Sequence, residues 1–357
     1  MPKRQKKEVT LKKLRENSVE KNVDIRKVAI IGCGFVGSST AFALMEGGIF
    51  SEMVLIDVDH NRAEGEAMDI SHGVPFAKPM KIYAGTYDDI VDASIIIITA
   101  GAAQKPGETR LQLVQKNVAI FKSIIPEIAK RKCEGVLLIV SNPVDILTYV
   151  AQKLSGFPVH RVIGSGTVLD TARLKSKLGE HLSVDNRAVH AFIIGEHGDS
   201  ELAAWSSAMV SGVPLSKFCE MRGHFNHDQS ERHIQEMVKN AAYEIIERKK
   251  ATYYGVAMAV RRICEVIARD EKSILSVSSL MEGQYGLTDV CLSMPAIVGA
   301  DGVEEKIPIS LDEDEITNLM KSANALKEIA SSLDLTLPEE KKEEPKPVDL
   351  SEKPSEV

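Results

Sequence analysis

The sequence predicts an α/β protein built from two unlike halves. In the first half, short apolar strands alternate with helical segments, and residues 94–99 (SIIIIT) form the unbroken apolar run of a parallel strand that is buried on both faces. In the second half, helical segments are followed by a group of strands separated by glycine-rich turns. We therefore expect an N-terminal doubly wound parallel-sheet domain and a C-terminal α+β domain.

Composition limits the class of protein. At 357 residues with 44% hydrophobic content, the chain is long enough for two domains with apolar cores. A net charge of −7 argues against a broad basic surface for nucleic acid. The apolar runs are too short to cross a bilayer and the start lacks an apolar signal core, so we expect a cytoplasmic protein that binds neither nucleic acid nor membrane. The five cysteines are widely spaced and indicate neither a disulfide framework nor a zinc site.

A glycine-rich turn follows the first strand. Residues 27–37 read KVAIIGCGFVG, which places Gly32, Gly34 and Gly37 in G-x-G-x-x-G spacing between an apolar strand and a helix. A second strand ends at Asp57, twenty residues after Gly37. The glycines allow a tight turn and close approach of the backbone to a pyrophosphate, and the acid can accept hydrogen bonds from a ribose. The pattern predicts a Rossmann domain that binds NAD, since the charge of Asp57 repels the 2′-phosphate of NADP.

The ends of the next two strands supply further candidates. The strand at 94–99 runs into a polar loop, residues 104–110 (QKPGETR), which has the composition of a lid. Arg110 on this loop can polarise a substrate carbonyl, although a solvent-exposed charge at a helix entry explains it equally well. A fourth strand, residues 136–140, ends before Asn142, which is either a hydrogen-bond donor to a ligand or an ordinary turn residue before proline. The expected cofactor-binding residues are Gly32, Gly34, Phe35, Val36, Gly37, Asp57, Thr99, Ala100, Gly101 and Asn142.

Residues 189–200 (VHAFIIGEHGDS) begin with an apolar run and end in charged and polar residues. Residues 191–194 have the length and β-branched content of a core strand, so we expect His197 at the end of a sheet. Upstream, Asp170 and Arg173 are three residues apart in a helical pattern and share one helix face. A lone histidine is more often structural, but this combination predicts a base, its orienting carboxylate and an anion clamp. Asp170 would hold one imidazole nitrogen, and Arg173 would bind a carboxylate through two parallel hydrogen bonds.

The remainder of the second half contains helices and then strands. We expect a helix at 202–210, one or two long helices within 228–269, antiparallel strands at 274–280, 290–294 and 296–298, and a closing helix at 312–333. Thr252, at the break in the long helical region, is suited to the floor of a pocket. His224, His227 and His233 are close in sequence but lie in a polar, solvated segment, and no further ligand is spaced to complete a site. We therefore expect no metal.

These patterns divide the chain into four segments. Residues 1–26 form a basic arm that we expect to be flexible, and residues 336–357, rich in proline, glutamate and lysine, form a charged tail that we expect to be disordered. Between them lie a dinucleotide-binding domain at 27–164 and a substrate-binding, catalytic domain at 165–335.

The order of the motifs is itself informative. GCGFVG, Asp57, AGAAQKPGETR, SNP, LDTAR and IIGEHGDS together resemble the bacterial-type L-lactate dehydrogenase branch of the lactate and malate dehydrogenase family, over about residues 27–333. The resemblance implies an NAD-dependent oxidoreductase that reversibly transfers hydride between NADH and pyruvate, giving L-lactate. It also implies that His197 is the proton donor and acceptor, Asp170 its partner, and Arg110 the residue that polarises the carbonyl.

Gln104 falls at the loop position that faces the variable group of the substrate in this family. Malate dehydrogenases carry arginine there, whereas a neutral amide suits the methyl of pyruvate and leaves a second carboxylate unpaired. By the same resemblance, Arg173 binds the substrate carboxylate, and Asn142 and Thr252 line the pocket. The alternatives are a malate dehydrogenase, a branched-chain L-2-hydroxyacid dehydrogenase and, from a different class, an inactive dinucleotide-binding homologue.

The resemblance further implies a homo-oligomer, either a tetramer or a dimer, that acts in glycolysis and fermentation. In bacterial lactate dehydrogenases that are allosterically activated by fructose 1,6-bisphosphate, an arginine and a histidine bind phosphate across a subunit interface. Lys175 and His190 fall at those positions here, so the histidine is kept but the lysine lacks the bidentate phosphate geometry of arginine. We expect a weakened or absent response, and an ordinary polar role for both residues is an equally good interpretation.

Overall fold

The computed structural model describes residues 24–102, 107 and 109–337. Its N-terminal half alternates strands and helices, as the sequence predicts. The strands are β1 (Asp24–Ile31), β2 (Glu52–Ile56), β3 (Lys81–Ala84), β4 (Ala93–Ile98), β5 (Val136–Ile139) and β6 (Val162–Gly164). The helices are α1 (Phe35–Gly47), α2 (His60–His72), α3 (Arg110–Lys130) and α4 (Val144–Ser155). The predicted arm at 1–26 lies almost entirely outside the described residues, and the predicted tail at 336–357 is described only at its first two.

The six strands of this half are parallel and lie in the order β6-β5-β4-β1-β2-β3. The side chains of β4 are all buried, because helices cover both faces of the sheet. Helices α3 and α4 pack on one face, and α1 and α2 pack on the other. The strand order reverses between β1 and β4, which is where a parallel sheet opens a crevice at the carboxyl ends of its strands.

The C-terminal half has shorter strands and longer helices. The helices are α5 (Val168–Leu182), α6 (Leu215–Met221), α7 (His227–Lys249), α8 (Tyr254–Ala268) and α9 (Glu313–Ser331). The strands are β7 (Val189–His190), β8 (Ile193–Ile194), β9 (Leu202–Ala203), β10 (Met209–Val210), β11 (Val213–Pro214), β12 (Ser273–Glu282), β13 (Thr288–Gly299) and β14 (Gly302–Lys306). The break between α7 and α8 confirms the predicted interruption near Thr252.

The antiparallel strands β12, β13 and β14 extend the parallel sheet instead of forming a separate one. Strand β12 pairs with β6 through Ser278 and Gly164, which produces one nine-stranded mixed sheet in the order β14-β13-β12-β6-β5-β4-β1-β2-β3. The two strands predicted at 290–294 and 296–298 are one continuous strand, β13. The α/β class with a parallel half and an α+β half is confirmed, and the two halves share a sheet.

Two local predictions are wrong. Residues 202–210 are not a helix but β9, a 3-10 turn at Trp205–Ser207, and β10. Their buried residues fall at 202, 203, 204, 208 and 210, a pattern that no single helix face contains, and the strands pair with β8 on one side and with β7 and β11 on the other. Likewise the core strand predicted at 191–194 is only the two-residue strand β8, and residues 189–190 form β7 in a different sheet.

No helix in the described part of the chain combines the length and the apolar character needed to cross a membrane. The apolar core consists of three clusters, one on each face of the large sheet and a third among α5, β7, β10 and α7. The third cluster supports the segment that carries His197.

Candidate active site

The turn after β1 is shaped by glycines. Gly32 has a φ of +105°, and a Cβ there would overlap the backbone of Ala100 at the end of β4. A Cβ at Gly37 would overlap the carbonyl of Gly32, whereas a Cβ at Gly34 would meet nothing within 4 Å. The first and third glycines are therefore required by close packing of strand, turn and helix, and the second leaves open space for a ligand.

A cleft of about 580 Å³ lies beyond the ends of these strands. Its lining includes the predicted residues Gly32, Gly34, Asp57, Thr99, Ala100 and Gly101. No side chain in the described part of the chain caps the start of α1, so its first amide groups remain available to an anion. Asp57 accepts a hydrogen bond from the backbone amide of Cys33 at 2.6 Å, which fixes the carboxylate at the end of β2. The cleft therefore has the amide groups and the fixed acid that bind a pyrophosphate and a ribose in dinucleotide sites.

Four residues of the predicted cofactor set are not among the described residues that line this cleft. Gly37 packs against the turn, Asn142 lines a second cleft, and the other two are Phe35 and Val36. Phe35 is 67% exposed and stacks on Tyr253 with 5.4 Å between the ring centroids. Val36 is half-buried and packs against the apolar cluster that α1 shares with the sheet. Neither side chain is among the described residues that line the cleft. Both residues follow the second glycine and occupy the first two positions of the helix, so their side chains point away from the glycine turn.

His197, Asp170 and Arg173 are brought together as the sequence predicts. Nδ1 of His197 lies 2.6 Å from Oδ2 of Asp170, and Nη1 of Arg173 donates to Oδ1 of the same carboxylate at 2.5 Å. Asp170 is 2% exposed, while the side chains of His197 and Arg173 are 26% and 16% exposed. One buried carboxylate therefore orients both an imidazole and a guanidinium, and both partners face a cleft of about 430 Å³.

The charges of these groups stabilise one another. Burial of His197 opposes its charged form, but the adjacent carboxylate of Asp170 outweighs that effect and raises the histidine pKa to about 9. Burial also opposes ionisation of Asp170, yet the positive charges of His197 and Arg173 and their hydrogen bonds lower its pKa. The histidine is consequently a cation at neutral pH, paired with a carboxylate anion.

The backbone of His197 is fixed by a residue that sequence reasoning did not identify. Asp145, on the first turn of α4, accepts a hydrogen bond from the backbone amide of His197 at 2.7 Å and one from the hydroxyl of Ser278 on β12 at 2.6 Å. The carboxyl of Asp145 is 2% exposed, and burial raises its pKa to about 6 against the effect of these two hydrogen bonds. The only sequence signal was an acid at the start of an otherwise apolar helix.

The loop after Ile194 also depends on a backbone conformation and a hydroxyl. Gly195 has a φ of +85°, which L side chains rarely adopt, and it pairs with Ser293 on β13. The amide of Glu196 donates to the hydroxyl of Ser322 on α9 at 2.9 Å. Together with Asp145, these contacts fix the backbone of His197 from three different elements.

Asn142 lies at the end of β5 and lines the same cleft. Its carbonyl accepts from the side-chain amide of Asn117 at 2.7 Å, and the same side chain exchanges hydrogen bonds with the backbone of Ala102. Asn117 therefore joins the loop that carries Asn142 to Ala102, which precedes the predicted lid in the sequence. The cleft also contains Glu201, which is 4% exposed and which sequence reasoning did not identify.

The structure does not place the other predicted residues in the lining of this cleft. Gln104 lies outside the described residues, and α3 begins at Arg110, whose side chain is not described. Thr252 is half-buried in the turn between α7 and α8 and is not among the described residues that line the cleft. His190 is exposed on β7, and the amine of Lys175 lies 5.8 Å from the ring centroid of Phe192.

Within the described chain, one group of three residues offers ligand atoms close enough for a metal ion. These are Asp170, His197 and Glu201, whose ligand atoms lie within 4.8 Å of one another. Both oxygens of Asp170 are already hydrogen-bonded, one to His197 and one to Arg173, and the guanidinium adds a positive charge. The arrangement therefore suits proton transfer and anion binding better than a cation.

Comparison with known proteins gives consistent matches over both halves. Residues 26–164 match the family model described as lactate/malate dehydrogenase, NAD binding domain, and residues 167–334 match the lactate/malate dehydrogenase, alpha/beta C-terminal domain. The L-lactate dehydrogenase of Acetivibrio thermocellus is 57% identical, covering 88% of this chain and 99% of that protein. L-lactate dehydrogenase 1 of Clostridium acetobutylicum is 55% identical, with coverage of 86% and 98%. The crystal structure of the minor L-lactate dehydrogenase from Enterococcus mundtii in the ligands-bound form superposes with a TM-score of 0.85 at 43% identity, covering 88% of this chain and 100% of that one.

Proposed function

Because the chain belongs to the lactate/malate dehydrogenase family, we propose that it catalyses reversible, NAD-dependent hydride transfer between NADH and pyruvate, giving L-lactate. The observation that carries the proposal is the contact chain from Arg173 through Asp170 to His197 at the edge of a cleft. It combines an anion-binding group with a proton donor, which are the two groups that reduction of a 2-oxo acid requires.

His197 supplies the proton of the reaction. In the reducing direction its imidazolium donates a proton to the substrate carbonyl oxygen, and in the oxidising direction the neutral ring accepts the proton of the hydroxyl. Since the raised pKa of about 9 keeps the ring charged at neutral pH, pyruvate reduction should be lost as the pH rises through that value. Asp170 stabilises the imidazolium and fixes its orientation.

The remaining roles are those that the resemblance to the family implies. Arg173 binds the substrate carboxylate, and Asn142 lines the same cleft at the strand end. Arg110, at the start of α3, is proposed to polarise the carbonyl, and Gln104, which lies outside the described residues, is proposed to face the methyl group, as the resemblance to the family implies. Thr252 is proposed to lie close to the substrate when the lid is closed.

The cofactor is NAD, and the glycine turn with its cleft fits that group. The uncapped start of α1 would hold the pyrophosphate, and Asp57 would bind the ribose. NADH, when bound, supplies the hydride that reduces the carbonyl carbon. The fixed carboxylate of Asp57 should disfavour a 2′-phosphate, so kcat/KM should be higher with NADH than with NADPH, and equal values would refute this assignment of Asp57.

The deciding experiment follows NADH oxidation with a panel of 2-oxo acids. We expect kcat/KM to be highest with pyruvate, lower with branched-chain 2-oxo acids and lowest with oxaloacetate, because Gln104 leaves a second carboxylate unpaired. A preference for oxaloacetate would refute the choice of substrate. Binding of NADH without turnover of any 2-oxo acid would instead indicate an inactive homologue. His197→Asn serves as the control that removes the proton donor.

We also propose that the protein forms a homo-oligomer, a dimer or a tetramer. Helix α1 packs beside α2 and α8, and each of these three helices exposes a large apolar side chain: Phe42 is 56%, Met68 62% and Met258 54% exposed. An exposed apolar surface of this kind is typical of an interface between subunits. Light scattering should give a mass at least twice the chain mass of 39.1 kDa, and a monomer would refute the proposal.

Allosteric activation by fructose 1,6-bisphosphate is proposed to be weak. His190 is exposed and free to approach an anion, but burial lowers the pKa of Lys175 and its amine lacks the two parallel donors of arginine. Pyruvate KM with and without the bisphosphate tests this, and activation that survives His190→Ala would place the effector elsewhere.

The cellular setting is proposed as the cytoplasm, in glycolysis and fermentation. The five cysteines are all buried free thiols, as is usual for proteins of a reducing compartment. Reduction of pyruvate regenerates NAD, and this is the chemistry that fermentation requires.

A further inference from the structure

Glu201 is a buried acid in the cleft that the mechanism described so far does not use. It is 4% exposed, it lies at the start of β9, and its backbone amide donates to the carbonyl of Gly198 at 3.1 Å. Among the described residues, Oε1 of its side chain has no hydrogen-bond partner. A buried carboxylate normally accepts several hydrogen bonds, so this carboxyl is held in a site that does not satisfy its charged form.

The surroundings of Glu201 are charged groups of the site itself. Its carboxyl, the carboxyl of Asp170 and a ring nitrogen of His197 lie within 4.8 Å of one another. Arg173 on α5 and Lys239 on α7 are the cations that face it from the neighbouring helices. The ionisation of Glu201 therefore depends on the protonation of His197 and on any anion that binds to Arg173.

Counting the charges shows how substrate affects this residue. With Asp170 and Asp145 ionised and with His197, Arg173 and Lys239 positive, the cluster has one excess positive charge when Glu201 is neutral and none when it is ionised. Binding of a substrate carboxylate then gives a neutral cluster in the first case and an excess negative charge in the second. In a buried site the neutral arrangement is strongly favoured.

We propose that Glu201 is a second proton-carrying residue of this site, which must be a neutral carboxylic acid for the substrate anion to bind beside Arg173. The inference rests on the proposed function, because it requires a 2-oxo acid anion in this cleft. Glu201 takes its proton from solvent and does not give it to the substrate; His197 remains the donor in the reaction. Glu201 is thus a residue that controls binding.

The surroundings of the carboxyl agree with this role. Burial first, and then the negative charge of Asp170, raise the pKa of Glu201 to about 8, against the opposing charges of His197, Lys239 and Arg173. The pKa of His197 is raised to about 9. Both groups are therefore protonated at neutral pH, and both must be protonated for an anion to bind.

The test measures the dissociation constant of oxamate, which carries the same carboxylate and carbonyl as pyruvate, for the enzyme with NADH between pH 6.5 and 10.5. If two protons are required, the dissociation constant of the wild type rises about 100-fold per pH unit at the alkaline limit, and the rise falls to about 10-fold per unit in Glu201→Gln. A pH-indicator dye should show uptake approaching two protons per oxamate bound at the alkaline limit in the wild type, and one in the variant. The matched control is Asp199→Asn, which removes an exposed acid from the same cleft and should keep the two-proton dependence.

The outcomes separate the two proposals. A one-proton dependence in a wild-type enzyme that reduces pyruvate refutes the role of Glu201 and leaves the proposed function intact. A two-proton dependence that persists in Glu201→Gln also refutes it. If the wild type neither reduces pyruvate nor binds oxamate, the proposed function fails, and this inference fails with it. If Glu201→Gln does not fold, a one-proton dependence of the wild type still refutes the role of Glu201, and Glu201→Ala replaces it as the variant that should lose the second proton.

Discussion

Replacement of Asp170 by asparagine tests the central contact of the site. Oδ2 of Asp170 lies 2.6 Å from the ring of His197, and this carboxylate is the main reason that the histidine pKa is about 9 and not 6.5. At 1.36 kcal/mol per pKa unit, the difference corresponds to about 3 kcal/mol of stabilisation of the imidazolium. In Asp170→Asn the ring keeps its burial but loses the charge, so its pKa should fall to 6.5 or below.

The loss of activity should therefore depend on pH. At pH 8 about nine tenths of the wild-type histidine is protonated but only about 3% of the variant's, which predicts at least a 30-fold lower kcat/KM for pyruvate. The gap should narrow towards pH 6, leaving the part of the loss that comes from misorientation of the ring. NADH oxidation from pH 5.5 to 10, with NADH affinity measured by fluorescence as the control, gives the answer. A wild-type rate that is flat through pH 9, or a variant within threefold at pH 8, would refute the reasoning.

Four other substitutions address specificity and stability. Gln104→Arg should shift preference towards oxaloacetate, since pairing a buried carboxylate is worth about 2 to 5 kcal/mol, and unchanged kcat/KM ratios would contradict the lid assignment. Ser278→Ala leaves one oxygen of buried Asp145 without its donor and should lower the free energy of unfolding by about 1 to 3 kcal/mol in urea; no change would contradict that contact. Gly37→Ala should prevent stable folding because its Cβ overlaps a carbonyl, whereas Gly34→Ala should fold but bind NADH weakly; equal thermal stability of both would refute the packing argument.

The part of the fold that depends on local pattern was predictable. The isoleucine run that forms β4 and the glycine turn before α1 are signals contained within a dozen residues, and both predictions are confirmed. The helix predicted at 202–210 was wrong because this short segment is rich in apolar residues. A short apolar segment does not by itself distinguish a helix from two brief strands. The correct answer depends on pairing with β7 and β8, which are likewise too short to be recognised.

The site shows the same division. The sequence indicated which residues would be in contact. Asp170 and Arg173 have the spacing of one helix face, and residues 189–200 end in a charged segment that contains His197. Asp145 was not predictable, because its partners are 52 and 133 residues away and the residue itself reads as an ordinary acid in a first helical turn. Glu201 was missed for a related reason: an acid beside Ser200 appears solvated until the tertiary structure buries it.

The pairing of β6 with β12 has a consequence for how the chain unfolds and for what can be recombined. The sheet continues from one half into the other, and Asp145 in the first half holds His197 and Ser278 in the second. Loss of structure in either half would therefore expose a sheet edge in the other half, and it would leave unpaired either the carboxyl of Asp145 or the two groups that donate to it. Chimaeras that exchange residues 27–164 between relatives should accordingly retain activity only when the donor preserves both the edge of β6 and the acid that supports the catalytic loop.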